Sequence, residues 1–269
     1  MLNRQTVIPK IIHYCWFGGN EKPEVIKKCI ASWKEKCPDY EIKEWNESNF
    51  DVSINRYTKE AYDSKKWAFV SDYARLWIVY HYGGIYLDTD VELLKGLDDL
   101  LQYEVFMFFQ NEVLVNTGQG FGGVKHHWLI KQIMDDYNNK CFIKSDGQLN
   151  TTPCPVMNTQ VIKNCIPELK PIEKDQVINN IAFLSRGTYN GIMYHYGTGL
   201  WTDKPNLSMK KRKWKDTKLK RFLRNPKRLQ FVDSHFGSKL KKCYIFIAYD
   251  FLEYGPTYFL KKIIKKIKK

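Results

Sequence analysis

The sequence predicts an α/β fold with a central, mostly parallel sheet, and three observations support this fold class. Residues 7–17 are rich in β-branched and aromatic side chains and predict a buried first strand. A helix from Pro23 through Trp33 follows, and residues 40–45 alternate as a second strand. An amphipathic helix over 67–82 then ends at two glycines and leads into a short apolar strand. This alternation of strands and helices is typical of the opening of a parallel sheet.

The chain after this opening is expected to extend the same sheet as far as residue 203. Residues 85–87 form an apolar strand too short for the sheet's periphery, and the sequence contains no internal repeat. The other expected elements are a short helix at 56–66, one or two helical turns at 93–101, an apolar strand at 104–109, one or two strands with a Gly-rich turn at 111–124, a helix at 127–137, a loop and helix start at 145–160, irregular chain with short strands at 161–192, and a strand end with a glycine-bearing loop at 194–201.

The distribution of charge divides the chain into two parts. The formal net charge is +14, and residues 204–269 hold 21 Lys and Arg against 4 Asp and Glu. The preceding residues hold 22 against 25, so that part of the protein is close to neutral. We therefore expect a catalytic domain at 1–203 and a basic helical region at 204–269. A localised basic region favours an anionic partner, either membrane lipid or nucleic acid.

The end of the basic region, residues 258–269, predicts a helix that lies on a membrane surface. Apolar side chains fall on one side and lysines on the other, which is the pattern of an interfacial helix on anionic lipid. A solvated charged tail is the simpler alternative. Nucleic-acid binding is disfavoured because the segment matches no nucleic-acid-binding module. The apolar side consists of Phe259, Leu260, Ile263, Ile264 and Ile267.

Cysteine usage and hydropathy exclude two further classes of protein. The seven cysteines include no CxxC pair, so we expect reduced thiols of a cytoplasmic protein and no structural zinc site. No apolar run is long enough for a signal peptide or a spanning helix. Any membrane contact is therefore expected to be peripheral.

Two carboxylates, Asp88 and Asp90, follow the short central strand directly. Open α/β sheets bind ligands at the carboxyl ends of their strands, where a turn would splay these side chains. A doubly negative site of oxygen ligands suits Mg²⁺ or Mn²⁺, with a diphosphate completing the coordination. The tripeptide by itself is also compatible with an ordinary solvated turn.

The helix before the strand offers a second pair of charges, Asp72 and Arg75. Residues three apart in a helix share one face. A carboxylate and a guanidinium that face one point can hold sugar hydroxyls and a phosphate together. A surface ion pair is the simpler interpretation of the same spacing.

Two stretches resemble a known family. The string SDYARLWIVYHYGGIYLDTDV at 71–91 resembles the signature of the DXD-containing sugar transferases of glycosyltransferase family 32, which are related to the large glucosylating toxins. The segment IPKIIHYCWFGG resembles the family's opening strand. The match is strong over 8–20 and 67–95 and continues more loosely to about residue 201. The resemblance implies a GT-A-like nucleotide-sugar-binding fold.

The resemblance also implies roles for the four charged residues, which we expect to be the catalytic group. Asp72 and Arg75 match residues that grip the donor sugar. Asp88 is similar to the first aspartate of the motif, which bonds ribose and sugar hydroxyls. Asp90 is similar to the second aspartate, which binds the metal, and Asp88 is a further candidate ligand.

Other positions are implied on the donor and acceptor sides. Trp16 matches the residue whose indole stacks on the uracil or guanine of the donor, and a core tryptophan is its alternative. Tyr86 matches a residue near ribose or phosphate. Asn116, with the Gly-rich turn after it, occupies the place of a segment near the acceptor.

The C-terminal part of the resemblance departs from the family pattern in two places. Residues 151–153 look like the family's TGP element, with threonine in place of the glycine. Trp201 resembles a tryptophan that touches the leaving diphosphate, but the serine that precedes it in the family is absent. His195 is a candidate to supply a metal bond or a phosphate hydrogen bond instead, and a structural loop histidine is its alternative.

The function implied is a retaining, Mn²⁺- or Mg²⁺-dependent transfer of a hexose from a nucleotide-sugar, with a UDP-sugar expected. The expected acceptor is a hydroxyl of a lipid-linked or surface-polysaccharide oligosaccharide, as in capsule or lipopolysaccharide synthesis. The expected location is the inner face of a bacterial membrane, with no nucleic-acid partner. Two alternatives remain: a metal-independent glycoside hydrolase, for which Asp88 and Asp90 lie too close together, and a non-enzymatic basic protein that binds membranes or nucleic acid.

Overall fold

A computed structural model describes residues 7–171, 174–199 and 207 of the chain. The expected domain boundary between 203 and 204, the basic helices after it and Trp201 lie outside the described residues.

The described residues form a seven-stranded central sheet and a separate two-stranded ribbon. The strands are β1 (Ile11–Cys15), β2 (Glu41–Trp45), β3 (Gly84–Tyr86), β4 (Val91–Leu93), β5 (Val105–Phe108), β6 (Phe121–Gly123), β7 (Gln176–Ile178), β8 (Ile181–Leu184) and β9 (Met193–His195). The sheet has the order β2-β1-β3-β6-β5-β8-β7, and the ribbon pairs β4 with β9. The helices are α1 (Glu24–Lys36), α2 (Arg56–Asp63), α3 (Trp67–Tyr82), α4 (Trp128–Asn138), α5 (Cys154–Cys165) and α6 (Arg186–Ile192).

The strand directions confirm a mixed α/β fold with a mostly parallel sheet. Strand β1 is parallel to β2 and β3, and β5 is parallel to β8. Only β6 and β7, of the seven, run against their neighbours, so five strands share one direction. The short strand β3 lies inside the sheet, between β1 and β6, as its length and apolar character predicted.

Two stretches differ from the sequence-based expectation. Residues 93–101, where one or two helical turns were expected, begin with the end of β4 and contain one helical turn, a 3₁₀ turn at Asp98–Leu100. Residues 161–192, expected to be irregular with short strands, contain the short strands β7 and β8 but also the end of α5 and the whole of α6. Helix α6 includes two glycines and has low helix propensity, so tertiary packing and the Ser185 cap decide its formation.

Successive residues of β1 supply two separate cores. Ile12 and Tyr14 pack in a cluster with residues of α1, α6 and the β4-β9 ribbon. Cys15 packs in the other cluster, which contains residues of α2, α3, α4 and α5. This division follows from the two-residue period of a strand, which directs neighbouring side chains to opposite faces of the sheet.

The junction of α3 with β3 accepts only glycine, for steric reasons. Gly83 ends α3 with φ 67°, and Gly84 has φ 98°. A Cβ on Gly84 would lie 2.8 Å from the carbonyl oxygen of Ile11. His13 braces this junction: its Nε2 donates to the Gly83 carbonyl at 2.9 Å, and its Nδ1 accepts from the Trp45 indole at 3.1 Å. Burial lowers the pKa of His13 to about 4, so this structural histidine is neutral near pH 7.

Two smaller expectations also have structural counterparts. The six cysteines that the structure describes are free thiols, and Cys243 lies outside the described residues. His127 caps α4, where its Nδ1 accepts from the Leu129 N–H at 3.2 Å.

Within the described ranges, no helix combines the length and the apolar character needed to cross a bilayer.

Candidate functional site

The carboxyl edge of the sheet brings the predicted residues towards one place. Because β1 and β3 are parallel, Trp16 after β1 and Asp88 after β3 emerge at the same edge. The backbone N–H of Asp88 donates to the Gly118 carbonyl at 3.1 Å, which ties the carboxylate segment to the Gly-rich turn. Asp90 lies in a turn that follows the strand end.

The Arg75 guanidinium joins the carboxylates of α3 and of the strand end. Its Nη2 lies 3.1 Å from Asp72 Oδ1 and 3.2 Å from Asp88 Oδ1, and its Nε donates to the Ser71 carbonyl at 3.0 Å. The guanidinium carbon lies 4.9 Å from the centre of the Tyr86 ring. The Arg75 side chain is 4% exposed. Burial opposes its charge, but Asp88, Tyr86 and Asp72 hold the pKa of Arg75 well above its ordinary value.

Cys154 adds a thiol to this group. Arg75 Nη1 donates to Cys154 Sγ at 3.7 Å, and the thiol is hydrogen-bonded to Asp72. Burial raises the pKa of Asp72, and Arg75 partly offsets the rise. Burial and the negative charge of Asp72 keep the pKa of Cys154 well above its ordinary value. The thiol is therefore protonated and acts as a neutral partner of the ion pair.

The Asp88 side chain is more exposed than that of Asp90, at 27% against 10%, and has fewer hydrogen-bond donors around it. The Tyr86 hydroxyl donates to its Oδ1 at 3.2 Å, the same oxygen that faces Arg75. Burial raises the pKa of Asp88 to about 6; Arg75 works against the rise, and the charge of Asp90 adds to it.

Asp90 has the opposite environment, because donors surround both of its oxygens. His195 Nε2 lies 3.0 Å from Oδ1. The backbone N–H and the hydroxyl of Thr198 donate to Oδ2 at 2.7 and 2.8 Å. Burial alone would raise the pKa of Asp90, but His195 and Thr198 outweigh it and hold the pKa well below its usual range.

The ribbon of β4 and β9 places His195 beside Asp90. Antiparallel pairing sets Val91 opposite His195, and the Tyr196 N–H donates to the Asp90 carbonyl at 3.0 Å. Asp88, Asp90 and His195 each offer a ligand atom within 4.8 Å of the others. Two carboxylate oxygens and an imidazole nitrogen fit Mn²⁺ or Mg²⁺.

The two groups of side chains form the two ends of one site. Asp88 connects the two groups, because it forms an ion pair with Arg75 and also offers a ligand atom to the candidate metal position. We call Asp72, Arg75 and Asp88 the guanidinium end, and Asp90, His195 and Thr198 the imidazole end.

Gly118 lies against both the guanidinium and Asp88. A Cβ at this position would lie 2.5 Å from Asp88 Oδ2 and 2.6 Å from Arg75 Nη1. The Asn116 side chain shapes the turn, because its Oδ1 accepts from the Gly118 N–H at 2.8 Å and its Nδ2 donates to Gln110 at 2.8 Å. Asn116 thus lies next to the site, and its expected contact with an acceptor stays a prediction.

The protein family is decided by comparison with known sequences. The profile of the family described as glycosyltransferase sugar-binding region containing DXD motif matches residues 23–107. A glycosyltransferase of Acanthamoeba polyphaga mimivirus is 34% identical over 189 residues, which cover 66% of this chain and 71% of that protein. The chain belongs to the DXD glycosyltransferase family.

Two further relatives of this chain are fungal proteins. Inositol phosphoceramide mannosyltransferases 3 and 2 of Schizosaccharomyces pombe are 34% and 33% identical over 113 and 139 residues. The matches cover 39% and 50% of this chain, and 30% and 40% of those proteins. The chain therefore spans less than half the length of these curated relatives. Among solved structures, the PaToxG glycosyltransferase has a TM-score of 0.47 at 20% identity, covering 60% of this chain and 70% of that one.

The Trp16 indole is held at the carboxyl edge of the sheet. Its Nε1 donates to the Asn20 carbonyl at 2.7 Å, and Lys22 Nζ lies 5.5 Å from the centre of its ring. The side chain is half-buried and packs against the core. Stacking on a base stays a prediction.

The sequence did not identify three residues of the site. These residues contact the expected carboxylates and guanidinium, but each contact joins segments that are distant in the sequence. They are Thr198, Gly118 and Cys154. The only local signal comes from neighbouring residues in the sequence. Thr198 lies between two glycines, and Cys154, at the start of α5, directly follows the expected 151–153 element.

Proposed function

We propose that this glycosyltransferase moves a hexose from a nucleotide-sugar to an acceptor hydroxyl, in a metal-dependent reaction that retains the anomeric configuration. One observation carries the proposal: the ligand atoms of Asp88, Asp90 and His195 lie within 4.8 Å of one another, next to the buried Asp72–Arg75 pair. A cation site beside a carboxylate–guanidinium pair suits a ligand that combines a diphosphate with a sugar.

The two ends divide the donor between them. Asp88, Asp90 and His195 would hold a divalent metal ion, which would supply positive charge to the departing diphosphate. Arg75 is fixed by its carboxylates and supplies a preorganised cation to the developing negative charge. Asp72 accepts hydrogen bonds from hydroxyls of the transferred sugar.

Retention of the anomeric configuration is what the family resemblance implies, and the state of the carboxylates bears on the route by which it would occur. Asp72 and Asp88 both pair with Arg75, and Asp90 accepts hydrogen bonds from Thr198. None of the three is a free nucleophile, so we propose that the acceptor hydroxyl attacks an oxocarbenium-like sugar on the face that the diphosphate leaves. Holding both substrates in this geometry can contribute roughly 7 to 11 kcal/mol.

The fungal relatives suggest the identity of the sugar and of the acceptor. Those proteins are named mannosyltransferases of inositol phosphoceramide, which favours mannose as the sugar and a lipid-linked acceptor for this chain. A UDP-hexose is the other candidate donor. Attachment to an anionic membrane surface through the basic residues 204–269 is part of the same proposal and rests on charge alone. The inner face of a bacterial membrane, and a role in capsule or lipopolysaccharide synthesis, stay predictions from the sequence.

The decisive experiment is a screen for nucleotide release. Purified protein is incubated with GDP-mannose, UDP-glucose, UDP-galactose or UDP-N-acetylglucosamine, each with MnCl₂, MgCl₂ or EDTA. We expect one donor to release its nucleoside diphosphate with the metal ion and not with EDTA. Cleavage of glycosides in EDTA without nucleotide release would instead identify a hydrolase and refute the proposal.

Membrane attachment is tested in the full-length protein. Lys261, Lys262, Lys265 and Lys266 are changed together to glutamate, and both proteins are sedimented with vesicles of phosphatidylglycerol and phosphatidylcholine. We expect the variant to lose sedimentation and to keep nucleotide binding, because the site lies elsewhere in the chain. Equal sedimentation of the two proteins would contradict a role for these lysines.

A further inference from the structure

Helix α5 is joined to the Gly-rich turn by a hydrogen bond inside the core. Asn158 of α5 is fully buried, and its Nδ2 donates to the Thr117 hydroxyl at 2.9 Å. Thr117 is also fully buried, and Gly118 directly follows it in the turn. On the other side, the Tyr137 hydroxyl of α4 donates to Asn158 Oδ1 at 3.3 Å. Because both its nitrogen and its oxygen are paired, the Asn158 amide is held in one orientation.

The next residue of α5 adds a second connection to the same segment. The Thr159 hydroxyl accepts from the Val115 N–H at 2.8 Å, and Thr159 is 4% exposed. Val115 and Thr117 are therefore bound to consecutive residues of α5, which lie 44 and 41 positions further along the chain. Helix α5 thus determines where the segment that contains the turn lies.

The position of the turn matters because Gly118 contacts the guanidinium end closely. Its carbonyl accepts from the Asp88 N–H at 3.1 Å. A Cβ on Gly118 would lie 2.5 Å from Asp88 Oδ2 and 2.6 Å from Arg75 Nη1. A displacement of the turn would therefore move one of these charged groups or break the hydrogen bond to the Asp88 backbone.

An apolar side chain of similar volume would also fill the place of Asn158 in this core. Burial of an amide carries a desolvation cost, which hydrogen bonds offset only while every partner stays paired. Hydrogen bonds are directional, whereas apolar packing is not. The buried pair of Asn158 and Thr117 therefore selects one orientation of the turn in addition to filling space.

We propose that Asn158 is a positioning residue of the donor site, whose hydrogen bond to Thr117 holds the Gly-rich turn against Asp88 and Arg75. It acts through Thr117 and Gly118 and does not touch the substrate. This inference deepens the proposed function and rests on it for the effect on the nucleotide-sugar. Its effect on the turn is measurable in the ligand-free protein.

The test removes the hydrogen bond from each side and then removes both partners, in the full-length protein. Asn158→Leu and Thr117→Val each replace one partner with an apolar side chain of similar volume, and the double variant replaces both. Ile162→Val is the matched control. Ile162 is fully buried one turn further along α5, so its truncation lowers stability without removing a polar group.

Three measurements are made on each protein. Urea unfolding in EDTA gives the stability of the ligand-free form. Hydrogen exchange at the Asp88 amide reports how firmly the Gly118 carbonyl is held against it. Titration calorimetry in MnCl₂ gives the affinity for GDP-mannose, UDP-glucose, UDP-galactose and UDP-N-acetylglucosamine.

We expect Asn158→Leu and Thr117→Val to exchange the Asp88 amide about tenfold faster than Ile162→Val, and to bind the preferred nucleotide-sugar about tenfold more weakly than wild type. Ile162→Val should keep the wild-type affinity. The double variant should be more stable than Asn158→Leu, because no Thr117 hydroxyl remains unpaired, yet it should keep the fast exchange and the weak binding.

A purely structural role of Asn158 would give a different pattern. Exchange and affinity would then follow the unfolding free energy across all variants, including Ile162→Val, and this result would overturn the proposal. Fast exchange at Asp88 with wild-type affinity for the nucleotide-sugar would overturn the role in donor binding. If Asn158→Leu does not fold, Thr117→Val removes the same hydrogen bond from the other side and decides the question.

Failure of the proposed function is recognised separately. In that case the wild-type protein would bind none of the nucleotide-sugars with manganese, whereas exchange at the Asp88 amide would still measure the hold of Asn158 on the turn. Binding by the wild type that all three variants retain at full affinity would refute the Asn158 proposal alone.

Discussion

Asp88 and Asp90 are two residues apart in the sequence, yet the structure gives their carboxylates opposite properties. Asp90, at the imidazole end, accepts hydrogen bonds from two groups of Thr198 and faces His195, and its pKa is lowered. Asp88, at the guanidinium end, accepts one hydrogen bond from a hydroxyl and forms an ion pair with Arg75, which also pairs with Asp72. Burial raises the pKa of Asp88 to about 6. Burial is the largest single influence on both pKa values. The charge and hydrogen bond of His195, together with the two hydrogen bonds from Thr198, outweigh burial at Asp90, whereas Arg75 does not outweigh it at Asp88.

The comparison indicates two different uses of one residue type. The donors around Asp90 fix an ionised carboxylate in one orientation before any ligand arrives. Asp88 is ionised at a cost in the ligand-free protein, and a bound cation would relieve that cost. The affinity for a cation can gain from both carboxylates, because Asp90 needs no reorientation and a bound cation relieves the unfavourable ionisation of Asp88.

The largest expected effect comes from Asp90→Asn. Both oxygens of Asp90 face donors, so an amide group would point its N–H₂ at one of them and would remove a charge from the metal position. We expect sugar transfer to fall more than 100-fold, since loss of an outer-shell partner alone costs 10- to 100-fold. Initial rates at saturating MnCl₂ test this, with the exposed Asp99→Asn as the control. Activity within twofold of wild type would remove Asp90 from the metal site.

Gly118→Ala tests the close contact of the Gly-rich turn with the guanidinium end. The added Cβ would lie within 2.6 Å of atoms of Asp88 and Arg75, so these side chains must shift. We expect a loss of about 1 to 3 kcal/mol in unfolding free energy and at least tenfold weaker binding of the nucleotide-sugar. Gly191→Ala is the control, because it lies on α6 with nothing within 4 Å of its Cβ. Similar behaviour of the two variants would contradict the crowding at Gly118.

The opposite pKa shifts predict opposite stability effects for Asp88→Asn and Asp90→Asn. The folded-state pKa of Asp88 lies above its ordinary value of 3.8, so its contribution to stability is lost as the pH rises from about 4 to about 6. In EDTA at pH 7.5, Asp88→Asn should therefore be about 3 kcal/mol more stable than wild type, and the difference should vanish near pH 4. Asp90→Asn should be less stable than wild type at pH 7.5.

Urea unfolding at the two pH values measures these differences. Comparison with wild type at each pH removes the contribution of His13, whose pKa of about 4 makes the protein lose stability as the pH falls from 6.5 to 4. Loss of stability in Asp88→Asn at pH 7.5 would show that Arg75 outweighs burial at this position.

The smallest expected effect separates the two hydrogen bonds that Thr198 gives to Asp90. Thr198→Val removes the hydroxyl and keeps the backbone donor and the side-chain volume, whereas Thr198→Ser keeps both donors. We expect about tenfold weaker manganese binding in the valine variant and little change in the serine variant. Titration with MnCl₂ distinguishes them, and identical affinities would mean that the backbone donor alone orients Asp90.

The amount that the sequence could predict differs between the fold and the site. The apolar periodicity of α3, the two glycines and the apolar β3 are local signals, and they located the strand that precedes Asp88. Helix α6 was missed because its glycines give no local signal. The position of His195 was open because its pairing with Val91 joins residues about 100 positions apart.

The sequence by itself determined the α/β class, the place of the carboxylates after the central strand and, through its motif, the glycosyltransferase family. These follow from side-chain periodicity and from backbone sterics, which act over a few residues. Only the tertiary structure decided which aspartate is held by Thr198 and His195 and which faces Arg75. Burial and hydrogen bonding depend on contacts between distant segments, so two aspartates that look equivalent in a tripeptide become different groups in the folded protein.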